Sequence, residues 1–199
     1  HIQSMYGDLE AKVAAKTAEL EEKRERLEAL YDVTALVASA ATLKELASGF
    51  AARVGRVARA DGVAVRWSDE ANQRYLMLAA EGLPATMADG EQCLHADACH
   101  CGVRRSPPGA RVIPISTMAP TGMSHCADAG FETLVSIPVR LHERVMGEVD
   151  LFFHAQVTPS PAERSLLEAL TAHLAGAMEN LRLKALEKEA AVSQERGFL

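Results

Sequence analysis

The chain has 199 residues, 48% of them hydrophobic, which is material for one domain of ordinary size plus extensions and excludes wholesale disorder. A formal charge of -6 argues against a nucleic-acid binder, because nothing here would neutralise a phosphate backbone. No apolar run approaches the ~20 residues of a membrane span, and no signal-peptide pattern opens the chain.

His1 to Met5 read as an expression scar. From Asp8 to about Ala40 there is no proline, and Leu9, Val13, Leu20, Leu27, Leu30 and Val37 recur at spacings of three and four, a narrow apolar seam that predicts a helix meeting a partner helix. Lys16 and Lys23 interrupt the seam, and the outward positions carry i,i+4 pairs such as Glu19–Lys23 and Glu22–Arg26. Such a helix would extend roughly 50 Å, too far for a compact domain to cover, so a two-chain coiled coil is expected, with a free-standing helix as the alternative. Leu43 to Ala58 is a second helix, with Leu46, Phe50, Val54 and Val57 on one face, ended by Asp61-Gly62.

The period then changes to two. Val63, Val65 and Trp67 alternate, a polar turn follows at Asp69 to Gln73, and Tyr75 to Ala80 completes a strand pair. Gly82 to Gly130 is irregular, with one strand expected at Arg111 to Ser116. Val135, Ile137, Val139 and Leu141 alternate, as do Val145, Gly147, Val149, Leu151 and Phe153 beyond a turn at His142-Glu143, which predicts an antiparallel hairpin. Ser160 and Pro161 then suit the N-cap and first position of a last helix. Leu167, Leu170, Leu174, Met178, Leu181 and Ala185 mark its seam. The expected architecture is α+β, an antiparallel sheet of five or six strands with flanking helices and long helices at both ends. The expected divisions are 1–40 for the first rod, 41–183 for the domain and 184–199 for the last rod.

The stretches "LVSIPVRLHERVMGEVDLFF" and "SPAERSLLEALTAHLAGAMENLRL" resemble a GAF domain: a buried S-x-P-V strand, a glycine-containing return strand and a final helix ending near an E-N pair, here Ser136, Pro138, Val139, Gly147, Glu179 and Asn180. The resemblance covers about Leu43 to Leu183. The flank "LEAKVAAKTAELEEKRERLEALYDVTALVA" is similar to the helix that follows the HAMP linker in transmembrane sensor histidine kinases, and "SQERGFL" to the residues preceding the phosphoacceptor box in nitrate/nitrite (NarX-type) sensors. The resemblance implies a cytoplasmic sensory segment, from a protein anchored in the bacterial inner membrane. It would be a homodimer that relays input to a kinase domain in cis and through it to a response regulator. The segment itself would contact neither membrane nor nucleic acid and would not be an enzyme, since the chain stops before any phosphoacceptor histidine box or nucleotide-binding glycine-rich segment.

In a GAF fold, Glu91 to Gly130 would cover the ligand pocket. It holds all four cysteines, Cys93, Cys99, Cys101 and Cys126, with His95, His100 and His125 interleaved. Thiolates and imidazoles at this density suit zinc, an iron–sulfur cluster or a thiol–disulfide switch. The spacing lacks the paired C-x2-C of a zinc ribbon, and free thiols among solvated histidines are the competing reading. A bilin site is not matched, because Cys126-Ala127 stands where Cys-His would be needed; seven histidines leave a haem ligand unspecified, and the cyclic-nucleotide pattern is missing. Arg104 and Arg105 could meet an anion. Asp61, Asp69 and Glu70 read as turn carboxylates, Trp67 as core or pocket wall, and Ser136 has no triad partners. Two other functions remain open: a passive dimerisation spacer, and a methionine-sulfoxide reductase of GAF-like fold using the cysteines.

Overall fold

The computed structural model describes residues 2–69, 71, 73–95, 109–115 and 125–196. Two long helices, α1 (Ile2–Ser39) and α5 (Pro161–Arg196), flank an α+β body. Its elements are α2 (Leu43–Ala58), β1 (Gly62–Asp69), β2 (Arg74–Glu81), α3 (Ala85–Gly90), β3 (Cys93–His95), β4 (Arg111–Pro114), α4 (His125–Asp128), β5 (Thr133–Leu141) and β6 (Arg144–Phe153). The strands form one antiparallel sheet in the order β3-β2-β1-β6-β5-β4. Among the described residues no helix is long and apolar enough to cross a membrane.

Local chemistry explains where the helices start. Thr42 caps α2, its side chain accepting from the Glu45 amide while Glu45 accepts from the Ala41 amide. Ser160 and Glu163 form a reciprocal capping box at α5: the Glu163 amide donates to Ser160 Oγ at 3.2 Å and the Ser160 amide to Glu163 Oε2 at 2.7 Å. Helix α2 stops at Arg59, whose φ of 54° puts its amide back on the Arg56 and Gly55 carbonyls. In the hairpin, Gly147 is required by a close approach, since a Cβ there would stand 1.9 Å from the Arg66 carbonyl oxygen of β1.

The core joins three helices to one sheet face. Val63 and Val65 of β1, Val135, Ile137 and Val139 of β5, and Val149 and Leu151 of β6 pack against Phe50 and Val54 of α2, Leu170 and Leu174 of α5, and Val33 and Leu36 of α1. Trp67 is half-buried against this core, as its position on an alternating strand suggested. The first rod therefore joins the body's core well before residue 40.

The helix directions follow from contacts. Leu36 lies over Gly49, while Asp32 reaches Arg53 at 3.0 Å and Arg56 at 3.5 Å, so α1 and α2 are antiparallel. The start of α5, at Ser160 and Glu163, shares a cleft with Glu25 and Asp32 of α1 and Arg56 and Arg59 of α2. Farther along, Val33 and Leu36 share the core with Leu170 and Leu174. Helices α1 and α5 thus cross the same sheet face in the same direction. The first part of α1 projects from one end of the body and the last part of α5 from the other.

Burial corrects the expected seam on α5. Leu167, Leu174 and Met178, predicted to meet a second chain, are 4%, 0% and 0% exposed within their own core. Leu181 and, on α1, Leu30 are partly buried against that core as well. A 3–4 spacing specifies an apolar face but not the surface it meets, and here the sheet and α2 take it. Leu9, Val13, Leu20 and Leu27 are different: each is more than half exposed, as is Tyr31.

Candidate functional site

The second face of the sheet is also buried, which alternation alone did not reveal. Residues between the core-facing ones, namely Ala64 and Arg66 of β1, Leu134 and Ser136 of β5, and Glu148, Asp150 and Phe152 of β6, lie beneath a second layer instead of facing water. One part is apolar: Ala64, Leu134 and Phe152 pack with Met87 of α3, Cys126 of α4, Ile115 and Phe131. The other part carries charge.

At its centre is Arg66, 1% exposed. Its Nη1 donates to the Glu91 carbonyl at 3.0 Å, its Nη2 to Glu91 Oε2, and its Nε to Asp150 Oδ2 at 3.2 Å. Glu148 Oε1 lies 3.9 Å from Nε. Strand register assembles the group: Ala64 opposes Asp150, Arg66 opposes Glu148, and Ser136 opposes Asp150 from the other side. Glu91 follows α3 and reaches in from the second layer, where His125 Nδ1 stands 3.5 Å from its Oε1. Gly90 makes room for that ring, since a Cβ would lie 2.8 Å from His125 Cε1.

Taking a guanidinium out of water costs several kcal/mol, and only well-formed pairs offset it. Here burial works against the Arg66 charge, yet Asp150, Glu91 and Glu148 overcome it and leave its pKa raised. Glu148 is the opposite case. Burial first, then the Asp150 charge, hold its carboxyl well above its ordinary 4.5, against the pull of Arg66 and Arg111. Holding that proton, Glu148 donates a side-chain hydrogen bond to the Asp150 carboxylate, which raises its pKa further and gives two neighbouring buried acids one shared charge.

The raised Glu148 pKa has a pH consequence. The folded chain binds that proton more tightly than the unfolded one, so the stability this group contributes is fully present below pH 4.5. It is lost as pH rises from there through the folded pKa, at a rate approaching about 1.4 kcal/mol per pH unit. Urea midpoints across that range should show wild-type stability declining relative to Glu148→Gln. Parallel curves for the two proteins would mean that Glu148 titrates normally.

The cysteine and histidine candidates do not converge among the described residues. Cys93 is exposed on β3 at the sheet edge, with His95 exposed two residues on; Cys126 is buried in the apolar part of the second face, and neither cysteine is in a disulfide. Among the described residues no group of three or more His, Cys, Asp or Glu could hold a metal ion. Burial, then the Glu91 charge, push the Cys126 thiol up, which disfavours the thiolate that metal binding and disulfide exchange both need. Cys99, Cys101, His100, Arg104, Arg105 and Glu70 lie outside the described residues. Asp61 is structural, accepting the His154 amide at 2.8 Å, and Asp69 pairs with Arg74.

Sequence reasoning missed Arg66, Glu91, Glu148 and Asp150. The available signal was an arginine inside "VAVRW", in a strand with neighbours on both sides, facing "GEVDL", where two acids occupy alternate positions.

No protein-family model and no curated protein matches the chain. Solved structures do resemble it. The GAF domain of a phosphoenolpyruvate-protein phosphotransferase from Acinetobacter superposes with a TM-score of 0.67 at 20% identity, covering 80% of this chain and 96% of that one. The GAF domain of a protein described as a sensor histidine kinase from Pseudomonas syringae pv. tomato gives 0.65 at 15% identity, over 90% and 99%. A free methionine-R-sulfoxide reductase from Neisseria meningitidis, in complex with its substrate, gives 0.66 at 15%, over 80% and 91%. These likenesses establish architecture alone, and on that ground the body between α1 and α5 has the GAF fold.

Proposed function

We propose that this chain is the sensory and transmitting segment of a sensor histidine kinase. Two copies lie in parallel, joined along α1. An input at the second face of the sheet, or from the upstream rod, shifts the C-terminal helices and so changes how a following phosphoacceptor domain is presented. The observation that carries this reading is the course of the rods. Helices α1 and α5 share one core with the sheet, run in the same direction, and leave the body at opposite ends. Displacement of the sheet or of one helix is therefore passed through close-packed side chains to the other. The stripe of Leu9, Val13, Leu20 and Leu27 is apolar surface that a second copy would cover. The Pseudomonas neighbour, described as part of a sensor histidine kinase, is consistent with that placement.

In this reading the segment performs no chemistry. It lies on the cytoplasmic side of a protein anchored in the inner membrane, and phosphoryl transfer to a response regulator belongs to domains beyond α5. Nitrate or nitrite sensing rests on the resemblance of the flanks.

A relay through α5 is tested beyond the core, where a break leaves the domain folded. Ala190 is exposed, and proline there removes a helix hydrogen bond and costs about 3 kcal/mol locally. Joined through α5 to a phosphoacceptor and ATP-binding unit, the wild-type segment should support autophosphorylation and Ala190→Pro should lose most of it. Equal rates in the two proteins would refute transmission and leave a passive spacer.

A further inference from the structure

The projecting part of α1 carries charges in a pattern that specifies what lies against its apolar stripe. With Tyr6, Val13, Leu20 and Leu27 at the a positions of a heptad repeat, Leu9, Lys16 and Lys23 take the d positions. The apolar members are each more than half exposed, uncovered by the described residues of their own chain. Glu19 and Arg24 flank the stripe on opposite sides, at g and e. Glu19 holds both seam lysines: Lys16 Nζ donates to its Oε2 at 2.7 Å and Lys23 Nζ to its Oε1 at 2.5 Å. The ammonium heads are drawn to that flank, which leaves their aliphatic stems to fill the d layers. Arg24 in turn reaches Glu21 at 2.5 Å and Glu28 at 3.7 Å. Pairs this exposed are weak, and a carboxylate and a guanidinium each have bonding sites to spare, so neither group is closed to a further partner.

We propose that α1 binds a second copy of itself in parallel and in register, aligned by a reciprocal Glu19–Arg24 ion pair across the seam. The inference rests on the dimer of the proposed function and names the contact that sets its alignment. In a parallel pair each g residue faces the e residue of the partner's following heptad, so Glu19 of either copy meets Arg24 of the other. The alternatives set like charges together. After a slip of one heptad, the two Arg24 side chains would meet Lys12 and Arg26, and the two Glu19 side chains would meet Thr17 and Tyr31. An antiparallel pair centred on the stripe brings g against g and sets Glu19 against Glu19.

Glu19→Arg and Arg24→Glu are the probes, and both positions lie on the projecting part of α1, outside the core. Sedimentation equilibrium of either full chain should show a dimer about tenfold or more weaker than wild type, since an attraction on each flank becomes a repulsion. In native mass spectrometry of an equimolar mixture, the heterodimer should instead predominate over both homodimers, because both flanks of the mixed pair again join opposite charges. Effects within one helix are the same in homodimer and heterodimer, so they cannot produce that preference. Glu21→Arg mixed with Arg24→Glu is the control: it makes the same charge change at a position turned away from the seam, and should give a near-statistical mixture. A statistical mixture from the first pair, or an equal preference in the control, would overturn the proposal. The failures are distinguishable. If wild type is a dimer and the first mixture is statistical, only this alignment falls; a wild-type mass of one chain removes the dimer and the alignment with it.

Discussion

Replacing Arg66 by methionine should destabilise the domain by about 3–5 kcal/mol, the cost of breaking a buried ion pair by removing one partner. Methionine fills much of the volume, so the loss is electrostatic. The Glu91 and Asp150 carboxylates would remain out of water without the guanidinium that pairs them, and the Glu91 carbonyl would lose its donor. The companion triple variant Arg66→Met, Glu91→Gln, Asp150→Asn removes the stranded charges together and should recover a substantial part of the loss. Urea unfolding followed by circular dichroism at neutral pH measures both. A single variant costing under about 1 kcal/mol would mean that water reaches the cluster and that Arg66 is not sealed.

The second large effect is expected at Leu174. Its side chain is fully buried where α5 meets α1, α2 and the sheet, and truncation to alanine should cost about 2–5 kcal/mol. The urea midpoint should fall with little change in slope, because the surface exposed on unfolding is nearly the same. Leu183, 44% exposed on the same helix, is the control: its truncation should change the stability of one chain by no more than about 0.5 kcal/mol. Equal effects at the two positions would contradict the separation between the part of α5 embedded in the body and the part leading away from it.

These contrasts show which features the sequence made legible. Helix α2 runs from Leu43 to Ala58 as its apolar period indicated, and the start of α5 was marked by Ser160 and Pro161. Long elements with a complete period and a cap announce themselves. Helix α3, strand β3 and helix α4 do not, since they are 6, 3 and 4 residues long and show no full repeat.

The site was hidden for a related reason. Glu148 and Asp150 alternate with Val149 and Leu151, the pattern of a strand with one wet face, and only the layer of α3 and α4 above them makes that face an interior. The cysteines drew attention by composition, but composition carries no depth. Cys93 lies at an exposed sheet edge, whereas Cys126 is buried among Phe131 and Met87. Likewise the leucine spacing on α5 could not say that Leu167, Leu174 and Met178 would be claimed by their own sheet.

The stripe of Leu9, Val13, Leu20 and Leu27 on α1 is left uncovered, and the proposed function turns on a second copy lying against it. Sedimentation equilibrium of the full chain at micromolar concentration tests this most directly. The expected result is a mass of twice one chain, falling to one chain when Leu20→Asp and Leu27→Asp are introduced together, with the body still folded. A wild-type mass of one chain throughout, or a dimer indifferent to those aspartates, would contradict it.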